Sequence, residues 1–261
     1  MKIACSSQSF DLALLNDEMS LEEFYSFCST FDFIKGVELE DKHLKYPHDA
    51  EYLAQVLELS KKFGLPIVNL AFDCNFGYKS EEKLEKELVR VRTWVEVAKA
   101  LEIPRFRLFA GWPDENKENQ WPKMIEYLKQ GAAIIKEAGM TVVVENHNHG
   151  GFLSNSDDVV RMFDDVGSDV ITLLLDTGNY VDELPGVLKT AKWSGHVHAK
   201  VKEIDDTGRP ITIDYPPMVK VLAENQYNGF LSIEYEGDLE PKQIVKSFGN
   251  FLNDQIKLQS N

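Results

Sequence analysis

The chain has little cysteine, few basic residues and no long apolar run. Its three cysteines, Cys5, Cys28 and Cys74, make no even set and no C-x-x-C pair. A disulfide scaffold is therefore excluded, and reduced thiols in a cytoplasmic, reducing compartment are expected. Lysine and arginine number 28 against 43 aspartates and glutamates, a net charge of −15. Such a balance repels phosphate backbones and anionic lipid, so neither nucleic acid nor a membrane surface is an expected partner. No segment approaches the roughly 20 apolar residues a spanning helix needs. The opening MKIACSSQSFDLALL reads as a strand and loop, not a signal peptide. No G-x-G-x-x-G follows a strand-like run, which removes support for nicotinamide or flavin. No linker or low-complexity stretch divides the chain, and 1–261 is expected to form one domain.

What is there is an alternation. Strand-like runs fall at 2–5, 36–39, 66–71, 105–110, 141–145, 171–175, 195–201 and 230–235. Helical patterns follow at 20–31, 49–63, 80–101, 122–138, 156–166, 181–191, 217–225 and 241–256. Ser20 with Glu23 forms a capping box, and Gly64 and Gly139 sit where helix C-caps belong. SSQSF, a charged stretch through Pro47, DCNFGYKS and GWPDENKENQ read as loops. Eight strand-then-helix units predict an α/β protein, a single (β/α)8 barrel, over an open sheet.

Chemistry-bearing residues gather at the ends of the later strands. TVVVENHNHGG runs from β-favouring residues into Glu145; ITLLLDTGN ends on Asp176; GHVHAKV carries His198; FLSIEYEG carries Glu234. Strand alternation puts Glu145 with Val143, Asp176 with Leu174, His198 with His196 and Glu234 with Ser232 on interior faces. Three carboxylates converging in an apolar mouth repel one another unless a cation joins them, and His198 adds a neutral nitrogen. Glu145, Asp176, His198 and Glu234 are thus the expected ligands of one divalent ion. Mn2+, Mg2+ or Co2+ suit the oxygen-rich set best, with Zn2+ and Fe2+ as alternatives.

VVVENHNHGG, LLLDTGNY, GHVHAKV and LSIEYEG resemble the sugar phosphate isomerase/epimerase superfamily, the xylose isomerase-like TIM barrels. The resemblance covers most of the chain. It implies that the four matching residues bind one metal and that Glu145 and Glu234 double as acid/base groups on a carbohydrate. Two departures stand out. Ketose 3-epimerases place a histidine where this chain has Asn179, and a further glutamate where it has Gly151. Endonuclease IV shares the barrel but needs more histidines for its three metals.

His147, two residues past Glu145, is a candidate third catalytic group, and His149 could also face the mouth. Glu38, Asn179, Lys200 and Arg209 are the substrate-binding candidates. His196 is expected to orient His198 or fill the core, and His43 to be a solvated loop charge. Trp112 and Phe72 could stack on a ring, although packing is the commoner role of such residues. The expected activity is a metal-dependent isomerase or epimerase of a sugar, keto-sugar or polyol derivative, working by proton abstraction beside a carbonyl and a metal-stabilised enediolate. A lyase that expels a β-substituent on the same site is the alternative, and a non-catalytic sugar-binding barrel the third reading. A homo-oligomer stays open, because no dimerising patch is legible in the pattern.

Overall fold

A computed structural model describes residues 1–45, 48–148 and 150–259. Pro47, the expected end of the charged loop, and His149 lie outside the described residues. The strands are β1 (Lys2–Ser6), β2 (Ile34–Glu40), β3 (Ile67–Ala71), β4 (Arg105–Phe109), β5 (Thr141–Glu145), β6 (Thr172–Asp176), β7 (Ser194–Val201) and β8 (Phe230–Tyr235). They pair in sequence order, all parallel, and β8 closes on β1 with Phe230 opposite Lys2. The fold is the expected closed (β/α)8 barrel. The helices are α1 (Asp11–Leu15), α2 (Leu21–Ser29), α3 (Ala50–Phe63), α4 (Glu81–Ala100), α5 (Lys117–Glu137), α6 (Ser156–Val166), α7 (Glu183–Thr190), α8 (Tyr215–Glu224) and α9 (Pro241–Leu258).

The local signals act as read in most places. Ser20 accepts from the Glu23 amide while Glu23 accepts from the Ser20 amide, closing the capping box of α2. Asp49 caps α3, and Gly64 ends it at φ 66°, a conformation glycine adopts without steric cost. Two expectations are corrected. SSQSF is no open loop: Ser7–Phe10 forms a 3-10 turn leading into α1. The Ser9 hydroxyl donates to the Ile233 carbonyl and accepts from the Tyr235 amide, pinning that turn to β8. The helix expected from 122 begins at Lys117, because Asn116 accepts from the amides of Glu118 and Asn119. That cap outweighs the preference of proline for the first turn, so Pro122 sits inside α5.

Barrel strands are buried on both faces and divide their residues between two environments. Val142 and Val144 join the core shared with the helices, as do Leu173, Leu175, Val197 and Ile233. The alternate positions point inward, and there the interior is polar toward one end: Glu38, Asn69, Arg107, His196, His198 and Ser232 are all buried. Register aligns them. Asp176 pairs with His198, Lys200 with Glu234 and Glu38 with Asn69 across neighbouring strands. Cys5, Cys28 and Cys74 are buried free thiols.

Candidate metal and active site

The deepest layer of the mouth is a histidine relay. The Nε2 atoms of His196 and His198 stand 2.8 and 2.7 Å from the two carboxylate oxygens of Glu38. A carboxylate only accepts, so both Nε2 atoms carry hydrogen. The amide of Asn69 donates to the same Glu38 at 3.0 Å. Burial works against the Glu38 charge, but the two rings hold its carboxyl well below the usual range. Glu38 does not line the mouth cavity; it lies beneath and fixes the histidines, where the sequence suggested a substrate contact. The same relay explains His196, which burial holds below its ordinary value.

Above this layer the ring of His198 turns Nδ1 toward three carboxylates. Glu234 Oε2 is 3.3 Å away, Glu145 Oε1 3.5 Å and Asp176 Oδ2 3.9 Å. Nδ1 is buried and has no hydrogen-bond partner among the described residues. A neutral ring fixed at Nε2 would aim a lone pair at negative oxygens, which is unfavourable unless a proton or a cation lies between. Without a metal the proton does that work: burial opposes a charged ring, yet Glu234, Glu38 and Glu145 hold His198 well above the histidine range. Asp176 moves the other way. Burial raises its carboxyl well above normal, and Glu234 and Glu145 add to the push against the pull of Lys200. Ligand atoms of Glu145, Asp176 and His198 all lie within 4.8 Å of one another. Buried acid and imidazole groups in this arrangement can hold a divalent ion, and the unpartnered Nδ1 fits one.

Each glutamate is also tied to a buried cation. Lys200 Nζ is 2.6 Å from Glu234 Oε2, 3.2 Å from Asp176 Oδ2 and 2.9 Å from Glu236 Oε1. Arg107 was missed in the sequence. Its Nη1 donates to Glu145 Oε2 at 2.9 Å, and its Nη2 meets Glu40 Oε2 at 3.1 Å and Asp73 Oδ1 at 2.6 Å. The signal was available: in RFRLF, Arg107 takes an interior position between Phe106 and Leu108, which face the core. Despite burial, Arg107 and His198 hold the Glu145 carboxyl below its ordinary value. His198 and Lys200 hold Glu234 well below it.

The cavity over this site has a volume of about 140 Å³. His147, Asn179 and Lys200 line it, together with Glu145, Glu234, Trp112 and Phe109. The Asn179 amide points to Glu145 Oε1 at 3.4 Å. Phe109, Trp112 and His147 form an aromatic wall with ring centroids 5.1–5.4 Å apart. Other candidates fall elsewhere. Arg209 is exposed and pairs with Asp214 at 3.0 Å, away from the cavity lining. Phe72 packs against Phe106 and Trp94. His43, expected in solvent, is buried between the Ser7 hydroxyl and Asp11, because the short turn Asp41–His43 folds it under the loop after β1.

The profile of the family described as xylose isomerase-like TIM barrel matches residues 31–254. The chain belongs to that family. An inosose dehydratase of Clostridium perfringens (strain 13 / Type A) is 26% identical over 270 residues, spanning 87% of this chain and 88% of its own. A D-tagatose 3-epimerase-like protein superposes with a TM-score of 0.77 at 18% identity, each chain covered in full. The 3-keto-D-glucoside 4-epimerase of E. coli does so at 0.72 and 17%, covering 100% of this chain and 99% of that one. The relatives are thus sugar-modifying enzymes, both lyases and epimerases, and the solved structures speak for the shared fold. Among the described residues no helix is long and apolar enough to cross a membrane.

Proposed function

We propose that this chain is a divalent-metal-dependent enzyme that removes a proton beside the carbonyl of a keto-sugar or keto-polyol. The observation that carries the reading is His198 Nδ1, buried, without a hydrogen-bond partner among the described residues and facing three strand-end carboxylates. Glu145, Asp176, His198 and Glu234 would hold the ion, with Mn2+, Mg2+ or Co2+ favoured over Zn2+ and Fe2+ by the oxygen-rich set. When bound, such an ion supplies Lewis-acid stabilisation of the negative charge that develops on a carbonyl oxygen.

The residues of the chain supply the proton chemistry. Glu145 and Glu234 flank the cavity, but Arg107 and Lys200 keep both charged and weakly basic. His147 is differently placed. Its Nδ1 lies 3.0 Å from the Asn148 carbonyl, which only accepts, so Nδ1 is the donor in that contact, and the ring faces the cavity from outside the proposed ligand set. We assign proton transfer to Glu145, Glu234 and His147 together, and the orienting of hydroxyls to Asn179. Lys200 is left as the counter-charge of Glu234 and Asp176.

Elimination is the outcome best supported. An inosose dehydratase matches 87% of this chain, and the chain has Asn179 and Gly151 where ketose epimerases have a histidine and a glutamate. In elimination the C–H electron pair becomes the new C=C bond, and the β-hydroxyl leaves with a proton as water. Isomerisation or epimerisation, which the sequence put narrowly ahead, is the second reading; the names of the two epimerase-like structures favour it. Incubation with inosose and with a 3-keto-glucoside in D2O, with added Mn2+, separates the two by NMR. Release of water or aglycone with an unsaturated ketone is expected. Deuterium beside the carbonyl with every substituent retained would establish the second reading. Neither release nor exchange, with metal bound, would refute proton abstraction.

A further inference from the structure

We infer, resting on the proton-abstraction reading above, that the groove between the loops after β1 and β8 receives the leaving group, an apolar aglycone about one ring in size. The groove has a volume of about 360 Å³. It is continuous with the cavity over the carboxylates, because Gln8 and Glu236 line both. The two differ in character. Around the cavity the lining is acids, cations and amides, apart from Phe109, Trp112 and His147. Across Gln8 and Glu236 it turns to Phe10, Leu12, Ala13, Tyr235 and Pro241, and among the described residues no lysine or arginine joins them. At about 140 Å³ the cavity holds one sugar ring and little more, so a larger substituent extends beyond it. Over Gln8 and Glu236 such a substituent reaches apolar ground.

The groove is preformed. The Ser9 hydroxyl ties the turn after β1 to Ile233 and Tyr235 of β8. The Tyr235 hydroxyl accepts from the Leu239 amide at 2.6 Å and donates to the Leu239 carbonyl at 3.1 Å, closing the loop after β8. Within that loop Gly237 lies so near the Lys202 carbonyl that a Cβ would come within 2.4 Å of its oxygen. Loops pinned in this way leave Leu12 72% exposed beside the active cavity. A rigid apolar surface takes up an apolar group without the cost of ordering a loop. At the junction the Gln8 side chain makes no hydrogen bond among the described residues, so its amide can donate to the oxygen that joins ring and aglycone. The chemistry balances for a 3-keto-glycoside. The C2–H electron pair becomes the C1=C2 bond, and the C1–O bond breaks with its pair on the aglycone oxygen. That oxygen gains a proton, matching the one lost from C2, and leaves as an alcohol. A leaving hydroxyl stays within the cavity and makes no use of the groove; an alcohol with an apolar body does.

The test uses the full chain with Mn2+ and three ketones: inosose, methyl 3-keto-β-D-glucoside and cyclohexylmethyl 3-keto-β-D-glucoside. NMR in D2O reads exchange and alcohol release, and initial rates give KM and kcat. The two glucosides share the reacting ring and both expel a primary alcohol, so a difference confined to KM reports the groove. KM for the cyclohexylmethyl compound should be roughly tenfold lower, the worth of burying about half of a six-carbon ring. That ratio should shrink in Leu12→Ala and fall toward one in Leu12→Asp, with circular dichroism confirming the fold of each. Equal KM values in the parent overturn the inference while leaving the proton-abstraction reading standing. A ratio that Leu12→Asp retains overturns the groove as its source. Turnover of inosose with neither glucoside accepted overturns the inference alone. Inertness toward all three, with metal bound, overturns the inference and the proton-abstraction reading together.

Discussion

Arg107→Met is the sharpest test of how the mouth holds its charges. The guanidinium is 3% exposed, and its partners Glu40 and Glu145 are 4% and 3% exposed in their side chains. Methionine keeps most of the apolar stem and removes the charge. Buried Glu40 is then left without its counter-ion, and buried Glu145 keeps only His198. Removing one partner of such a buried pair costs about 3–5 kcal/mol. Asp73 loses its partner too, but at 55% exposure water screens it and its share is small. For a chain of this size that cost corresponds to a fall in Tm of roughly 6–20 °C.

The pH dependence gives the sign. In the variant Glu40 and Glu145 resist ionisation inside the fold, so their folded pKa values rise above the unfolded value of 4.5. A raised carboxyl stabilises the fold fully below the unfolded pKa and loses that contribution as pH climbs through the folded one. The deficit of the variant against the parent should therefore be smallest near pH 5 and largest near pH 8. Calorimetric melts of chelator-treated protein at the two pH values measure it, and Glu40→Gln placed on top of Arg107→Met should recover part of the loss. A fall of under 3 °C at pH 8, or an equal fall at both pH values, would show that Arg107 is not the counter-charge of this cluster.

Three further outcomes are expected. His198→Ala should sharply lower bound metal by elemental analysis while the barrel melts cooperatively, and Mn2+ or Co2+ should restore activity to chelated parent protein; full occupancy in the variant removes His198 from the site. Glu145→Gln and Glu234→Gln should each lose at least about a hundredfold in kcat, the scale of an acid/base group, and a near-normal rate in either clears that carboxylate of the role. Glu40 is pushed up to about 8 by burial, with Asp73, Glu234 and Glu38 adding to it against Arg107. The parent should lose stability as pH rises from 4.5 through that value, so Glu40→Gln should gain on the parent across the window; a difference that does not vary with pH counts against it.

The barrel was legible because its signals are local and repeated. Caps at Ser20, Asp49 and Ser80 and strand-like runs at regular intervals each act within a few residues. The convergence of Glu145, Asp176, His198 and Glu234 followed from strand alternation together with barrel closure. The partners of those side chains were not legible, because they come from strands far off in sequence. Arg107 reaches Glu40 across 67 residues, and His198 reaches Glu38 across 160. Nothing near Glu38 says whether it faces substrate or a histidine; only the closure of β2 against the far side of the barrel does. His43 failed for a like reason, since its burial depends on the turn before α1 folding over it.

The long-range partners also resolve a conflict left by the sequence. A carboxylate that binds metal loses basicity, which made Glu145 and Glu234 poor bases on the ligand set alone. Arg107 and Lys200 deepen the problem by placing a second positive charge on each. What these two cations provide is charge retention: without them, three carboxylates this deeply buried would take up protons, and on the proposed reading could no longer hold an ion. Asp176 makes the point, since its carboxyl already rises well above normal although Lys200 pulls against the shift. On the proposed reading, glutamates kept ionised in this way would share the proton transfer with a group outside the ligand set. His147 stands in the cavity wall, outside the proposed ligand set, with Nδ1 donating to the Asn148 carbonyl. On the proposed reading, β5 to β8 would hold the metal and the loop that follows β5 would share the proton handling.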